Sequence, residues 1–133
     1  MTPDELRAWC LAQPGAEETF PFSEGVSVFK VGGKMFALTA LRREPLEVSV
    51  KCEPEIAEDL RAANPAIRPG YHLDKRHWIT ITANGLPDQT VKDLIEDSYD
   101  LVVSKLPRAK QPREGEARYG QSGGRRSSGW HLT

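Results

Sequence analysis

Between Leu46 and Lys51 the chain alternates without a break: Leu46, Val48 and Val50 fall on one side of an extended strand, Glu47, Ser49 and Lys51 on the other. A strand so divided predicts an antiparallel sheet with one face buried and the other turned to water. The same period holds over His77–Ala83, where Ile79 and Ile81 oppose Trp78, Thr80 and Thr82. Two further strands, Val26–Val31 and Lys34–Leu41, flank Gly32-Gly33, a two-residue turn suited to the positive φ angles of a tight hairpin. A short extended piece, Ala16–Phe20, precedes them and ends at Pro21.

Three segments change to helical spacing. Thr2-Pro3-Asp4-Glu5 combines a capping residue, a proline suited to the first helical position and a glutamate that completes a capping box. Leu6, Trp9, Cys10 and Gln13 follow at helical spacing until Pro14-Gly15 stops the run. Pro54 opens a second helix, with Ile56, Leu60 and Ala63 on one stripe and Asn64-Pro65 at its end. The stretch Ala66–Lys75 reads as irregular. After the Asn84-Gly85 turn, Pro87-Asp88 starts the longest helix, whose inward stripe is Val91, Leu94, Ile95, Ser98, Val102 and Leu106. The expected fold is α+β: a two-layer sandwich, an antiparallel sheet with helices on one face, in the order α-β(3-4)-α-β(1-2)-α.

The pattern stops after Leu106, where Gly, Ser, Arg, Gln and Pro take over. The expected organisation is one domain over residues 1–106 and a basic, disordered tail over Pro107–Thr133, which has too little apolar surface to offset its ordering entropy. Charge divides at the same place. Of 18 Lys and Arg and 19 Asp and Glu, Arg108, Lys110, Arg113, Arg118, Arg125 and Arg126 lie in the tail with only Glu114 and Glu116 against them. The tail therefore carries +4 and residues 1–106 carry −5. An acidic body is a poor general attractant for a phosphate backbone, so any nucleic-acid site must be a local patch. Arg125-Arg126 adds the prospect of sequence-independent affinity.

No run approaches the roughly 18 apolar residues of a membrane helix, and Met1-Thr2-Pro3-Asp4-Glu5 lacks the order of a signal peptide. A cytoplasmic location without membrane contact is the expectation. Free thiols at Cys10 and Cys52 fit a reducing compartment; Cys10 reads as core, and Cys52, just before a helix, as structural despite its placement.

Candidate chemistry concentrates in Pro69-Gly70-Tyr71-His72-Leu73-Asp74-Lys75-Arg76-His77-Trp78, which joins two histidines, two adjacent cations and two aromatics. Two readings stand. Lys75 and Arg76 meet phosphates while Tyr71 and Trp78 stack on bases, or the aromatics pack under a loop and the cations are merely solvated. If the strands holding them are neighbours, Trp78, Thr80, Thr82, Ser49 and Lys51 line one open sheet face. The site residues singled out are Lys51, Tyr71, His72, Lys75, Arg76, His77 and Trp78. His72, Asp74 and His77 do not complete a metal shell. No Gly-x-Ser-x-Gly elbow or phosphate loop is present, so neither cofactor nor catalysis is expected.

The same segment resembles the hallmark stretch of the MmcQ/YjbR family. The likeness continues in Pro21-Phe22, in Phe29-Lys30-Val31-Gly32-Gly33-Lys34-Met35-Phe36-Ala37, in Val50-Lys51-Cys52-Glu53-Pro54-Glu55, and in Asp97-Ser98-Tyr99 with Leu101-Val102. It spans Thr2 to Leu106 in consistent order, with Asp74 in place of the family's Asn and a tail the family does not share. The resemblance implies a sheet-and-helix sandwich similar to secretion-chaperone-like proteins and a double-wing, DNA-binding label; it supplies no catalytic residue. The expected role is noncatalytic binding, of DNA or another nucleic acid, with a protein or peptide on the open sheet face as the alternative. The oligomeric state is not set by the sequence.

These readings assign no metal and no disulfide. Neither a chelator nor a reducing agent is expected to move the thermal midpoint, and a stoichiometric, tightly bound zinc in the purified protein would overturn that expectation.

Overall fold

The alternation becomes a two-faced sheet in the computed structural model, which describes residues 1–70 and 73–112. Six strands, β1 (Glu17–Thr19), β2 (Ser27–Val31), β3 (Lys34–Thr39), β4 (Glu47–Lys51), β5 (Ile67–Pro69) and β6 (Trp78–Thr82), form one antiparallel sheet in the order β1-β2-β3-β4-β6-β5. Helices α1 (Pro3–Leu11), α2 (Pro54–Ala63) and α3 (Asp88–Ser104) complete an α+β fold. The two clearly alternating strands are direct neighbours. Val48 pairs with Ile81 and Val50 with Ile79, and all four join the fully buried core with Leu6 of α1, Ala57 of α2 and Ile95 of α3. Glu47, Ser49 and Lys51 pair with Thr82, Thr80 and Trp78 on the second face.

Local chemistry sets each helix. Thr2 Oγ1 accepts from the Glu5 N–H at 3.1 Å and the Glu5 carboxylate accepts from the Thr2 N–H at 2.8 Å, closing the capping box. The Trp9 indole donates to the Lys92 carbonyl at 3.1 Å, pinning α1 across α3. Tyr99 meets Phe36 edge to face, centroids 5.3 Å apart, and its hydroxyl donates to the Pro14 carbonyl.

The hairpin turn is as tight as Gly32-Gly33 suggests, with φ of +57° and +83°. Gly32 has a second reason to lack a side chain. A Cβ there would lie 2.6 Å from Leu106 Cδ1 and 3.1 Å from the Lys110 carbonyl oxygen, so the chain beyond α3 runs against the turn.

One irregularity organises the centre. Phe29 pairs with Ala37 and Lys30 with Met35, leaving Phe36 as an extra residue in β3. The bulge sends both Phe36 and Ala37 into the core, and β3 pairs with β4 only from Ala37 to Thr39. Ser98 of α3, fully buried, takes over where that ladder stops. Its hydroxyl donates to the Phe36 carbonyl at 2.7 Å and accepts from the Lys51 N–H at 2.8 Å.

Two expectations need correction. The stretch Ala66–Lys75 is not wholly irregular, because Ile67–Pro69 pairs with β6 as an edge strand. The Thr82 N–H donates to the Ala66 carbonyl and the Gly70 N–H to the Trp78 carbonyl, both at 2.9 Å; three residues ending in proline give too little alternation to recognise. Structure also continues past Leu106. Arg108–Lys110 form one 3-10 turn, and Gln111 Nε2 donates to the Leu106 carbonyl at 3.1 Å. The rest of the expected tail, 113–133, lies outside the described residues. Among those described, no helix is long and apolar enough to cross a membrane.

Ser98→Ala would leave a buried carbonyl and a part-buried N–H without partners, each worth about 1–3 kcal/mol. Denaturant unfolding should show a loss of about 2 kcal/mol or more; a loss near zero would mean that the bulge does not depend on this hydroxyl.

Candidate functional site

The second sheet face is where the sequence placed its site, and the structure changes its character. Ser49 and Thr80 face each other across β4 and β6, their hydroxyls 2.8 Å apart, and both are buried. Trp78 stands opposite Lys51 as the alternation requires, but it is 8% exposed. The expectation of an open Trp78 stacking platform is therefore corrected. Alternation assigns a side chain to a face without showing what lies over that face. Beside it the backbone runs close: a Cβ on Gly70 would sit 2.6 Å from Trp78 Cβ and 3.0 Å from its carbonyl oxygen, so glycine lets the chain just after β5 bond tightly to the start of β6.

Two adjoining grooves, each of about 540 Å³, lie over this face. The first is floored by Leu38, Ser49 and Thr80, and walled by Phe22, Val26, Pro45 and Leu73. The second crosses the other end of the sheet, with Val28, Met35 and Trp78 inside it and Lys30, Lys34, Lys51 and Lys105 around it. Phe22 belongs to both and is 65% exposed.

The segment that the sequence singled out is only partly brought to this groove. Lys51 and Trp78 line it. Lys75, Arg76 and His77 occupy the turn that enters β6 at the same end of the sheet, Lys75 and Arg76 exposed and His77 half-buried. Tyr71 and His72 lie outside the described residues. The turn is held by Asp74: its carboxylate accepts from the Arg76 N–H at 3.0 Å and meets His77 Nδ1 at 2.8 Å. The His77 hydrogen bond, then the Arg76 N–H, hold the Asp74 carboxyl below its ordinary range. Asp74 and His77 thus serve the turn. Among the described residues, no three of His, Cys, Asp and Glu gather as a metal site would require. Burial pushes the Cys10 and Cys52 thiols up to about 12, so neither offers a thiolate near neutrality.

Sequence reading missed Lys30, Lys34, Lys105 and Phe22 as members of the site. The signal for Lys30 was present, since it alternates with the core residues Phe29 and Val31. What brings the others to it is tertiary: the hairpin turn carries Lys34, and α3 ends against that turn with Lys105.

Charge is also sorted by layer. The helices carry Asp4 and Glu5; Glu55, Glu58 and Asp59; and Asp88, Asp93, Glu96, Asp97 and Asp100, with only Arg7, Arg61 and Lys92 against them. At the hairpin end of the sheet the balance reverses, with the four groove lysines followed by Arg108 and Lys110 beyond α3.

Comparison with known proteins places this arrangement in a family. The family model described as YjbR matches residues 11–101. The uncharacterized protein YjbR of Escherichia coli (strain K12) is 38% identical over 112 residues, 84% of this chain and 95% of that protein. The uncharacterized protein YbdF of Escherichia coli O157:H7 is 36% identical over 104 residues, 77% of this chain and 85% of that one. The crystal structure of Deinococcus radiodurans protein DR2400, with a domain described as DUF419, superimposes with a TM-score of 0.77 at 44% identity and covers 82% of this chain and 84% of its own.

Because Trp78 is enclosed, Trp78→Ala is expected to cost about 3–5 kcal/mol of stability through the vacated volume. A native-like melt for that variant would show instead that the indole is free to leave its place.

Proposed function

The chain belongs to the YjbR family, and on that footing we propose that it is a noncatalytic binding protein whose ligand is nucleic acid, received at the lysine-bearing end of the sheet. The observation that carries the reading is the sorting of charge. Lys30, Lys34, Lys51 and Lys105 line one groove, while ten acids against three cations sit on the helices. A polyanion is drawn to one end of such a molecule and turned away from its back, so the field orients the encounter before contact. Lys75 and Arg76 extend the cationic surface along the turn into β6. Phe22, with most of its ring in solvent, takes the stacking role first expected of Trp78.

The reading assigns the described residues no reaction. The Asp74–His77 pair is committed to a turn, and the cysteines are buried thiols. The reading therefore has charge and stacking as its whole chemistry, and goes with a cytoplasmic place of action.

A second reading, a protein or peptide partner, is favoured by Phe22, which is 65% exposed and lines the more apolar of the two grooves, and by Phe20 two residues before it, 51% exposed. Salt separates the readings. Engaging about four to six phosphates gives a slope of log K against log salt of about −3 to −5. Titration of the purified protein with single- and double-stranded DNA at two salt concentrations should show that dependence. Replacing Lys75 and Arg76 by Ala should flatten the slope by up to about two. Absence of binding at low salt, or binding indifferent to salt, would overturn the proposal.

A further inference from the structure

Two of the groove lysines are unusual. Lys30 and Lys51 are fixed on strands and half-buried, yet among the described residues neither takes part in an ion pair. Glu17 stands opposite Lys30 on β1 without closing one. The stems of Lys30 and Lys51 pack along the strands, and charges that no acid already neutralises are left to meet an anion from outside. Lys34 and Lys105 are exposed and face the same space from the hairpin and from the end of α3. Glu53, two residues after Lys51, and Glu17, across the ladder from Lys30, do not line the groove.

The four lysines line one groove of about 540 Å³, of the size that takes a single small-molecule group. A surface that follows the sugar–phosphate backbone spaces its cations along a track, one for each single negative charge. A phosphate monoester at a strand end carries about −1.5 to −2, and presents three oxygens to several donors at once. Val102 and Leu106 at the end of α3 wall one side, so the space is better matched to a terminus than to a chain passing through. At the open rim Phe22 stands in solvent, placed to meet the first base as the phosphate sits among the lysines.

Resting on the nucleic-acid reading above, we infer that this groove is a receptor for the terminal phosphate of a nucleic-acid strand. Lys30 and Lys51 supply the fixed inner charges, Lys34 and Lys105 close over the outer oxygens, and Phe22 stacks on the terminal base. The binding is noncovalent; no bond is made or broken.

The test uses the full chain and three single-stranded DNA oligonucleotides of one sequence, bearing a 5′-phosphate, a 3′-phosphate or hydroxyls at both ends, with an internal fluorophore read by anisotropy. One of the phosphorylated strands should bind about tenfold tighter than the hydroxyl strand, equivalent to about 1.4 kcal/mol. A Lys30→Gln/Lys51→Gln variant should abolish the preference while keeping a native melt. Should that pair perturb folding, Lys34→Gln/Lys105→Gln, on exposed side chains, should still reduce it. Equal affinity for all three strands would overturn the terminal-phosphate inference and leave the nucleic-acid reading standing. Failure of every strand to bind at low salt would overturn both. A preference that survives both lysine variants would also overturn the inference, since the end would then be read elsewhere.

Discussion

A single hydroxyl holds the two layers in register. Where the bulge at Phe36 interrupts β3, the sheet is left with a carbonyl on one strand and an N–H on the next that no strand satisfies. Ser98 supplies both partners from the helix above. Buried backbone groups must be paired, so α3 can sit in only one rotation and one translation over the sheet. Much else follows from that seating: Tyr99 reaches Phe36, Leu106 arrives over Gly32, and Lys105 joins the groove. The N–H that Ser98 accepts belongs to Lys51, so the clamp behind the sheet fixes the backbone of a residue whose side chain works in front of it.

The site follows from this frame by geometry more than by local motif. A strand must point alternate residues to opposite faces; having given Phe29, Val31, Val48 and Val50 to the core, β2 and β4 present Lys30 and Lys51 outward. The hairpin and the end of α3 then bring two more lysines to the same space. A body with excess negative charge can still hold a cationic surface, because ten of the seventeen acids in residues 1–106 are on the helices.

Those helices and the four longer strands were legible because each repeats its signal: the stripe from Val91 to Leu106, the double alternation of β4 and β6, the glycine pair between β2 and β3. The edge strand β5 was not, since Ile67-Arg68-Pro69 is too short for a period to show. Ser98 illustrates a different limit. Its spacing correctly sent it inward with the apolar residues, but the need for a hydroxyl there arises from a bulge some sixty residues away in the chain, which no local window displays. Trp78 was given the right face and the wrong exposure. Its enclosure is tertiary, which alternation within one strand does not display.

The same short edge strand settles how the sheet ends. In β5 the inner side is used by Ala66 and Gly70, bonded to β6, so Ile67 and Pro69 turn their backbone outward. Proline has no N–H to offer, and the Ile67 N–H is already given to the Asn64 carbonyl at 3.0 Å. Over Ile67–Pro69 a strand from another molecule finds acceptors but no free donor, and a ladder needs both. The sheet is thus ended by chemistry along these three residues, which works against edge-to-edge stacking at this border.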